Sequence, residues 1–203
     1  MKLYDYFRAP NARRVRIFLA EKGITVPTEA VDLAAMQHKS GTYTAINPMQ
    51  RVPALVLDDG AVIAESMAIC RYFEALHPSP PLFGAGAADL ATVEMWNRFA
   101  EFYLFFPVAQ VFRHLHPGMK DMEVPQVAAW GEANKPRVDA FLPVLDRRLA
   151  AGPFVCGANY SVADITTLVA IDFMKPAKLV VAPEYGNIAK WYALVSARPS
   201  AKT

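Results

Sequence analysis

Cysteine is scarce: Cys70 and Cys156 are the only two in 203 residues, and they lie far apart. So few thiols exclude a disulfide-built scaffold. With no export signal they are expected to be reduced, in a cytoplasmic protein. Met1-Lys2-Leu3-Tyr4-Asp5-Tyr6 lacks the apolar core of a signal peptide. No Cys pair at ligand spacing accompanies His114 and His116, so no metal is expected. An excess of one charge is also missing. Residues 1–80 carry nine basic and eight acidic side chains, and the net charge of the chain is +2. A phosphate backbone would find no electrostatic footing here, so nucleic acid is excluded as a partner. No apolar run reaches the ~18 residues that cross a bilayer, which excludes a membrane span. Disorder is excluded in turn, because 54% of residues are hydrophobic and only 20% charged.

Proline and glycine are concentrated at one place, His77-Pro78-Ser79-Pro80-Pro81-Leu82-Phe83-Gly84-Ala85-Gly86. This run cannot continue a helix and reads as a linker over 78–86. It divides the chain into a domain at 1–77 and another at 87–203. In the first, strand-like and helix-like segments alternate. Leu3 to Phe7 reads as a strand; Val15, Phe18 and Leu19 mark a helix closed by Lys22-Gly23. Val26 to Leu33 is a second strand. Ala54–Leu57 and Val62-Ile63 flank the turn signal Asp58-Asp59-Gly60, and Met67–Ala75 is a helix. The order β-α-β-α-β-β-α predicts a small α/β domain with a mixed sheet. The second domain shows only helical periodicity. Met95, Phe99, Phe102 and Phe106 share one face of a long helix that Pro107 is expected to kink. Ser161-Val162-Ala163-Asp164 is a capping-box sequence, with Tyr160 and Ile165 placed as a staple, so Asp164 reads as structural rather than as a catalytic acid.

Three stretches carry candidate chemistry. In Ala9-Pro10-Asn11-Ala12-Arg13-Arg14-Val15-Arg16 a strand ends and a helix starts near Ala12, with three arginines in its first turns. Cations there oppose the helix dipole, an arrangement suited either to a docked anion or to a solvated basic face. In Arg51-Val52-Pro53 a cis proline before a strand would turn the Val52 N–H and C=O outward, where an extended peptide could pair with them. Glu65 and Ser66 stand at a hairpin exit and helix start. There a carboxylate can take an ammonium, while a hydroxyl and free amides take a carboxylate, or Ser66 is a plain cap.

Together these residues resemble the cytosolic glutathione transferase superfamily, over nearly the whole chain. The resemblance implies a thioredoxin-like α/β domain followed by an all-α domain, in a homodimer that binds glutathione as co-substrate. It implies that the Val52 backbone pairs with the cysteinyl unit and that Glu65 and Ser66 hold the γ-glutamyl end. Gln37-His38 is similar to the theta-type Gln-His, which places His38 near the glycyl carboxylate with Arg51 beside it. The activating residue departs from the family. Where the zeta-type opening has Ser-Ser-Cys, this chain has Ala9-Pro10-Asn11, similar to the Thr-Pro-Asn of bacterial nu-type enzymes, where the asparagine lies at the thiol. Tyr6-Phe7 resembles the tyrosine-type pair but lies one residue further from the following arginine. Asn97 to Pro107, His114 and Pro117-Gly118 resemble atypical fungal transferases, in which the first helix's N-terminus activates the thiol and a histidine of the helical domain relays the proton through water. The resemblance therefore implies Asn11 and His114 as catalytic groups, with Tyr103, Phe106 and Phe112 lining an apolar site for a small-molecule electrophile. Otherwise the side chains line the core. A glutathione-dependent disulfide reductase, or a non-catalytic ligand-binding module of the same fold, are the alternatives.

Overall fold

The computed structural model describes residues 1–203 and divides into two compact units, Met1–Pro81 with Pro199–Thr203, and Leu82–Arg198. The first unit is built on strands β1 (Lys2–Asp5), β2 (Thr28–Ala30), β3 (Ala54–Val56) and β4 (Val62–Ala64), in the order β2-β1-β3-β4. β1 runs parallel to β2 and antiparallel to β3, and β3 pairs antiparallel with β4. The register sets Leu3 opposite Leu55, and both are buried, which pins one face of the sheet to the core. Helix α1 (Pro10–Lys22) crosses between β1 and β2, a short α2 (Gly41–Ile46) precedes β3, and α3 (Ser66–Leu76) follows β4. The expected alternation is present, with β2 shorter than the 26–33 stretch.

Helix α1 starts at Pro10, two residues before the expected start near Ala12. Ala9 offers no capping side chain; the signal is Pro10 itself, whose fixed φ suits the first helical position. At the other end Gly23 adopts the left-handed conformation at φ 66° and closes the helix. Lys22, the basic residue of the last turn, is fully buried as a side chain. It lies 2.6 Å from the Glu74 carboxylate and donates to the His77 carbonyl at 2.7 Å and to that of Pro80. A buried charge of this kind persists because every donor finds an acceptor.

The second unit contains α4 (Ala87–Phe99), α5 (Phe106–Leu115), α6 (Ala128–Leu149), α7 (Val162–Met174) and α8 (Gly186–Ser196). Between α4 and α5 the helix widens into a π-wound segment, Ala100–Phe105. Pro107 lacks an N–H and crowds the preceding turn, and the chain responds by loosening its winding there. The linker is shorter than expected. Leu82 and Phe83 are buried in the second unit, where the Leu82 carbonyl accepts from the Val162 N–H at 2.9 Å. The helical domain also stops short of Thr203. The tail Pro199–Thr203 packs on α1, where Arg13 donates to the Ala201 carbonyl at 2.8 Å and Ser200 to Glu21. No helix is long and apolar enough to cross a membrane.

Candidate functional site

The start of α1 is open to a ligand for a countable reason. The Ala9 N–H donates to the Tyr6 carbonyl at 2.8 Å, Pro10 has no N–H, and the Arg13 N–H donates to the Ala9 carbonyl at 3.0 Å. The N–H groups of Asn11 and Ala12 are left without an acceptor. Each of the three arginines has partners within the protein. Arg16 grips Asp5 at 2.7 and 2.8 Å and the Phe7 carbonyl at 2.7 Å, locking the loop between β1 and α1. Arg14 is buried and donates to Asn11 Oδ1 at 3.2 Å, and Arg13 holds the tail. Each cation is spent on the scaffold, so the dipole is not what their placement serves.

Ala9 and Ala12 share one apolar cluster with Val31, Tyr43 and Val52, against which Tyr4, Tyr6, Leu33 and Ile46 pack. The cluster brings the Val52 backbone to the start of α1. The Val52-Pro53 bond is cis, and the Val52 N–H and C=O bond to no protein group. The loop before it is tightly held. The Arg51 carbonyl accepts from the Tyr43 hydroxyl and from Asn47 Nδ2, both at 2.7 Å, while Asn47 Oδ1 accepts from the Met49 N–H at 3.1 Å. Burial pushes the Tyr43 hydroxyl up to about 12, so it remains a donor. The sequence reading missed Asn47 and Tyr43 as supports, although an Asn before a Pro is a turn signal that could have pointed to the first.

His38 is buried on a single 3-10 turn, Gln37–Lys39, rather than solvated. Burial, and then the charges of Lys39 and Arg51, lower its pKa, so it is neutral near pH 7, and its Nδ1 has no partner in the protein. Arg51 is close enough for its charge to act on His38. Glu65, the residue before α3, is exposed at φ 70°, ψ 125°. Ser66 is the first residue of α3 rather than its cap and is buried at the helix start. Glu65 thus holds a backbone conformation that side chains resist.

In the second unit His114 is committed to its own surroundings. Its Nδ1 accepts from the Val127 N–H at 3.0 Å, and its Nε2 lies 3.9 Å from Glu123 Oε1. Phe112 packs between His116 and Phe173, at centroid distances of 4.7 and 5.0 Å. Tyr103 and Phe106 are exposed, and Tyr103 stacks on Phe141 at 6.2 Å. Asp164 is fully buried and accepts from four donors: the N–H of Val155 at 2.8 Å and of Ser161 at 3.0 Å, the Ser161 hydroxyl at 3.1 Å, and Trp191 Nε1 at 2.8 Å. With the reciprocal capping box present, it is structural as expected. Burial pushes the Cys70 thiol up to about 12 and that of Cys156 up to about 11, so neither supplies a thiolate.

Residues 9–76 match the family model described as the N-terminal domain of glutathione S-transferase, and residues 128–194 match that of its C-terminal domain. Glutathione S-transferase 2 of Saccharomyces cerevisiae is 35% identical, over 100% of this chain and 88% of its own. The crystal structure of Gtt2 from Saccharomyces cerevisiae superposes with a TM-score of 0.95 at 35% identity, covering 100% of this chain and 99% of that one. A glutathione S-transferase domain-containing protein of Marinobacter aquaeolei VT8 also gives 0.95, at 37% identity over 98% and 99%. Maleylacetoacetate isomerase of Pseudomonas aeruginosa is 41% identical over 42% of this chain and 41% of its own.

Proposed function

We propose, since this chain belongs to the glutathione S-transferase family, that it binds glutathione in the first unit and transfers its thiolate to an apolar, electrophilic small molecule. One observation carries this reading: unbonded backbone groups converge on one cluster. The N–H of Asn11 and Ala12 and the N–H and C=O of Val52 have no protein partners. The Val52 pair suits the two-sided hydrogen bonding of a cysteinyl unit laid alongside it as a short extra strand. The thiol then lies over the start of α1. Two free amides and the helix dipole stabilise its anion, as they do for a cysteine at a helix N-terminus.

The other residues fit the ends of the tripeptide. Glu65 offers a carboxylate to the γ-glutamyl ammonium, and Ser66, with the free amides of α3, offers donors to its carboxylate. His38, neutral and with a nitrogen unpartnered, and the cation of Arg51 suit the glycyl carboxylate. Asn11 completes the thiol site. Its oxygen is taken by Arg14, which leaves Nδ2 to donate to sulfur. The thiol gives its proton to solvent; the thiolate sulfur then bonds to the electrophilic carbon while either the bond to the leaving group breaks and that group departs with the electron pair, or a π bond opens and its displaced pair takes a proton from solvent. His114, which the resemblance implies as a relay, has its Nδ1 engaged as the acceptor of a hydrogen bond from the Val127 N–H. We assign it to the scaffold of the second unit.

Calorimetry of glutathione binding tests the reading. Ser66→Ala and Glu65→Ala should each weaken affinity by about 1–3 kcal/mol, the cost of leaving a charged partner short of a hydrogen bond. Unchanged affinity in both variants would overturn it. Turnover of an aryl halide by the wild-type protein, set against turnover of a glutathione-containing disulfide, separates transfer from disulfide reduction.

A further inference from the structure

Arg14 is the largest of the fully buried side chains, with 1% of its surface exposed. A guanidinium withdrawn from water persists only where its donors are put to use. One of them, Nη1, lies 3.2 Å from Asn11 Oδ1, one turn earlier on α1. A guanidinium has donors and no acceptor, so it can bond only the oxygen of a carboxamide. That contact fixes which end of the Asn11 side chain is which. Nδ2 is turned away from Arg14 and bonds to no protein group, on the same turn as the two free N–H groups of Asn11 and Ala12.

We propose that Arg14 is a positioning residue for the glutathione thiolate, acting through Asn11: it holds Oδ1 and so presents Nδ2–H to the sulfur. The proposal rests on the reading of Asn11 as a donor to sulfur given above. The terminal torsion of an asparagine is broad and nearly two-fold, so a carboxamide without a fixed partner turns over readily. Once turned, it would set an oxygen lone pair against the sulfur anion. Arg14 removes that alternative. Its charge also polarises the carbonyl it binds, which strengthens the N–H on the far side as a donor. Lysine cannot substitute. It keeps the charge but loses the planar fork and the reach to Oδ1.

A double-mutant cycle read by ultraviolet titration of bound glutathione tests this. Asn11→Ala should raise the pKa of the bound thiol by up to about one unit, the worth of one hydrogen bond to the anion. Arg14→Lys should raise it by a similar amount, with kcat/KM near neutral pH falling by up to about tenfold. The glutathione KM should stay within about twofold, because the contact with Asn11 bears on the thiol end of the tripeptide and not on its two carboxylate ends. In the double variant the rise should be no larger than in either single one. Equal and additive rises would overturn the proposal, since Arg14 would then act by itself; so would a wild-type pKa in Arg14→Lys. If Asn11→Ala leaves the thiol at its wild-type value, the Asn11 reading has failed and the proposal falls with it. That outcome is distinct from a failure at Arg14 alone. Arg14→Gln, which keeps a neutral donor, serves as a second variant with an intermediate pKa expected. Should neither replacement fold, a neutron crystal structure of the wild-type protein with glutathione, which shows the deuterium on Nδ2, decides. Oδ1 on Arg14 with Nδ2 toward sulfur supports the proposal, and Oδ1 released from Arg14 overturns it.

Discussion

Glu65 holds φ 70°, ψ 125°, a conformation that costs a residue with a Cβ on the order of 1–3 kcal/mol. The fold meets that cost at an exposed carboxylate beside the start of α3, the place proposed above for the γ-glutamyl ammonium. Glu65→Gly should therefore separate stability from function. The melting temperature should hold or rise as strain is released, although a more flexible unfolded chain offsets part of the gain. Glutathione affinity should fall as in Glu65→Ala. A loss of stability in Glu65→Gly would show that the conformation is unstrained. Residues differ in how legible they were. Glu65, Ser66 and Val52 stand beside turn and strand signals, so their places at a hairpin exit, a helix start and a strand entry could be read from position. Arg14 could not, because three arginines within four residues look alike in one dimension. Only packing shows that Arg14 points inward, Arg16 toward Asp5 and Arg13 toward the tail.

At the scale of elements, α7 depends on the carboxylate of Asp164. It ties the helix start to the Val155 N–H and to Trp191 on α8 as well as to Ser161. Ser161→Ala should cost about 0.5–2 kcal/mol. Asp164→Ala should cost several times that, because two backbone N–H groups and an indole N–H lose their acceptor at about 1–3 kcal/mol each. Neither should change the specific activity of the protein that remains folded. The same group carries a pH signature. Burial pushes the Asp164 carboxyl from its ordinary 3.8 up to about 6, outweighing the hydrogen bonds that oppose the shift. The folded chain thus takes up this proton before the unfolded chain does. Its contribution to stability rises as pH falls from 7 through 6 and is complete below the ordinary carboxyl value. Urea unfolding of the wild type and Asp164→Asn at pH 7 and pH 5 measures it. The wild type should gain on the variant at the lower pH, and a gain by the variant would refute the shift. The capping box was legible because its spacing is local. The π-wound segment was not, since Pro107 announces a disturbance without saying whether the helix bends or rewinds.

On the scale of the whole molecule, the linker and the tail are where sequence reading drew its boundaries in the wrong places. Composition marks Pro78–Gly86 as a break, but Leu82 and Phe83 are apolar residues that go to the second unit's core. Nothing in Pro199-Ser200-Ala201-Lys202-Thr203 announces that it returns to the first unit, because a contact across 188 residues leaves no local pattern. The tail nevertheless holds α1, the helix at whose start the thiol is proposed to lie. Ser200 and Ala201 are buried, and they bond to Glu21 and Arg13 at opposite ends of α1. Two hydrogen bonds at about 0.5–1.5 kcal/mol each, with the apolar contact around Ala201, put the tail's worth at roughly 2–3 kcal/mol. A chain ending at Arg198 should therefore open locally at α1. Hydrogen exchange of the α1 amides should speed up by about 30–150-fold, the equivalent of that free energy in a local opening equilibrium. Amides of α6 and α7, which belong to the second unit, should keep their protection. Glutathione affinity should fall with the loss of order in α1, since the Asn11 and Ala12 amides would then be fixed only on binding. Unchanged exchange in α1 after the truncation would show that the tail merely rests on the helix.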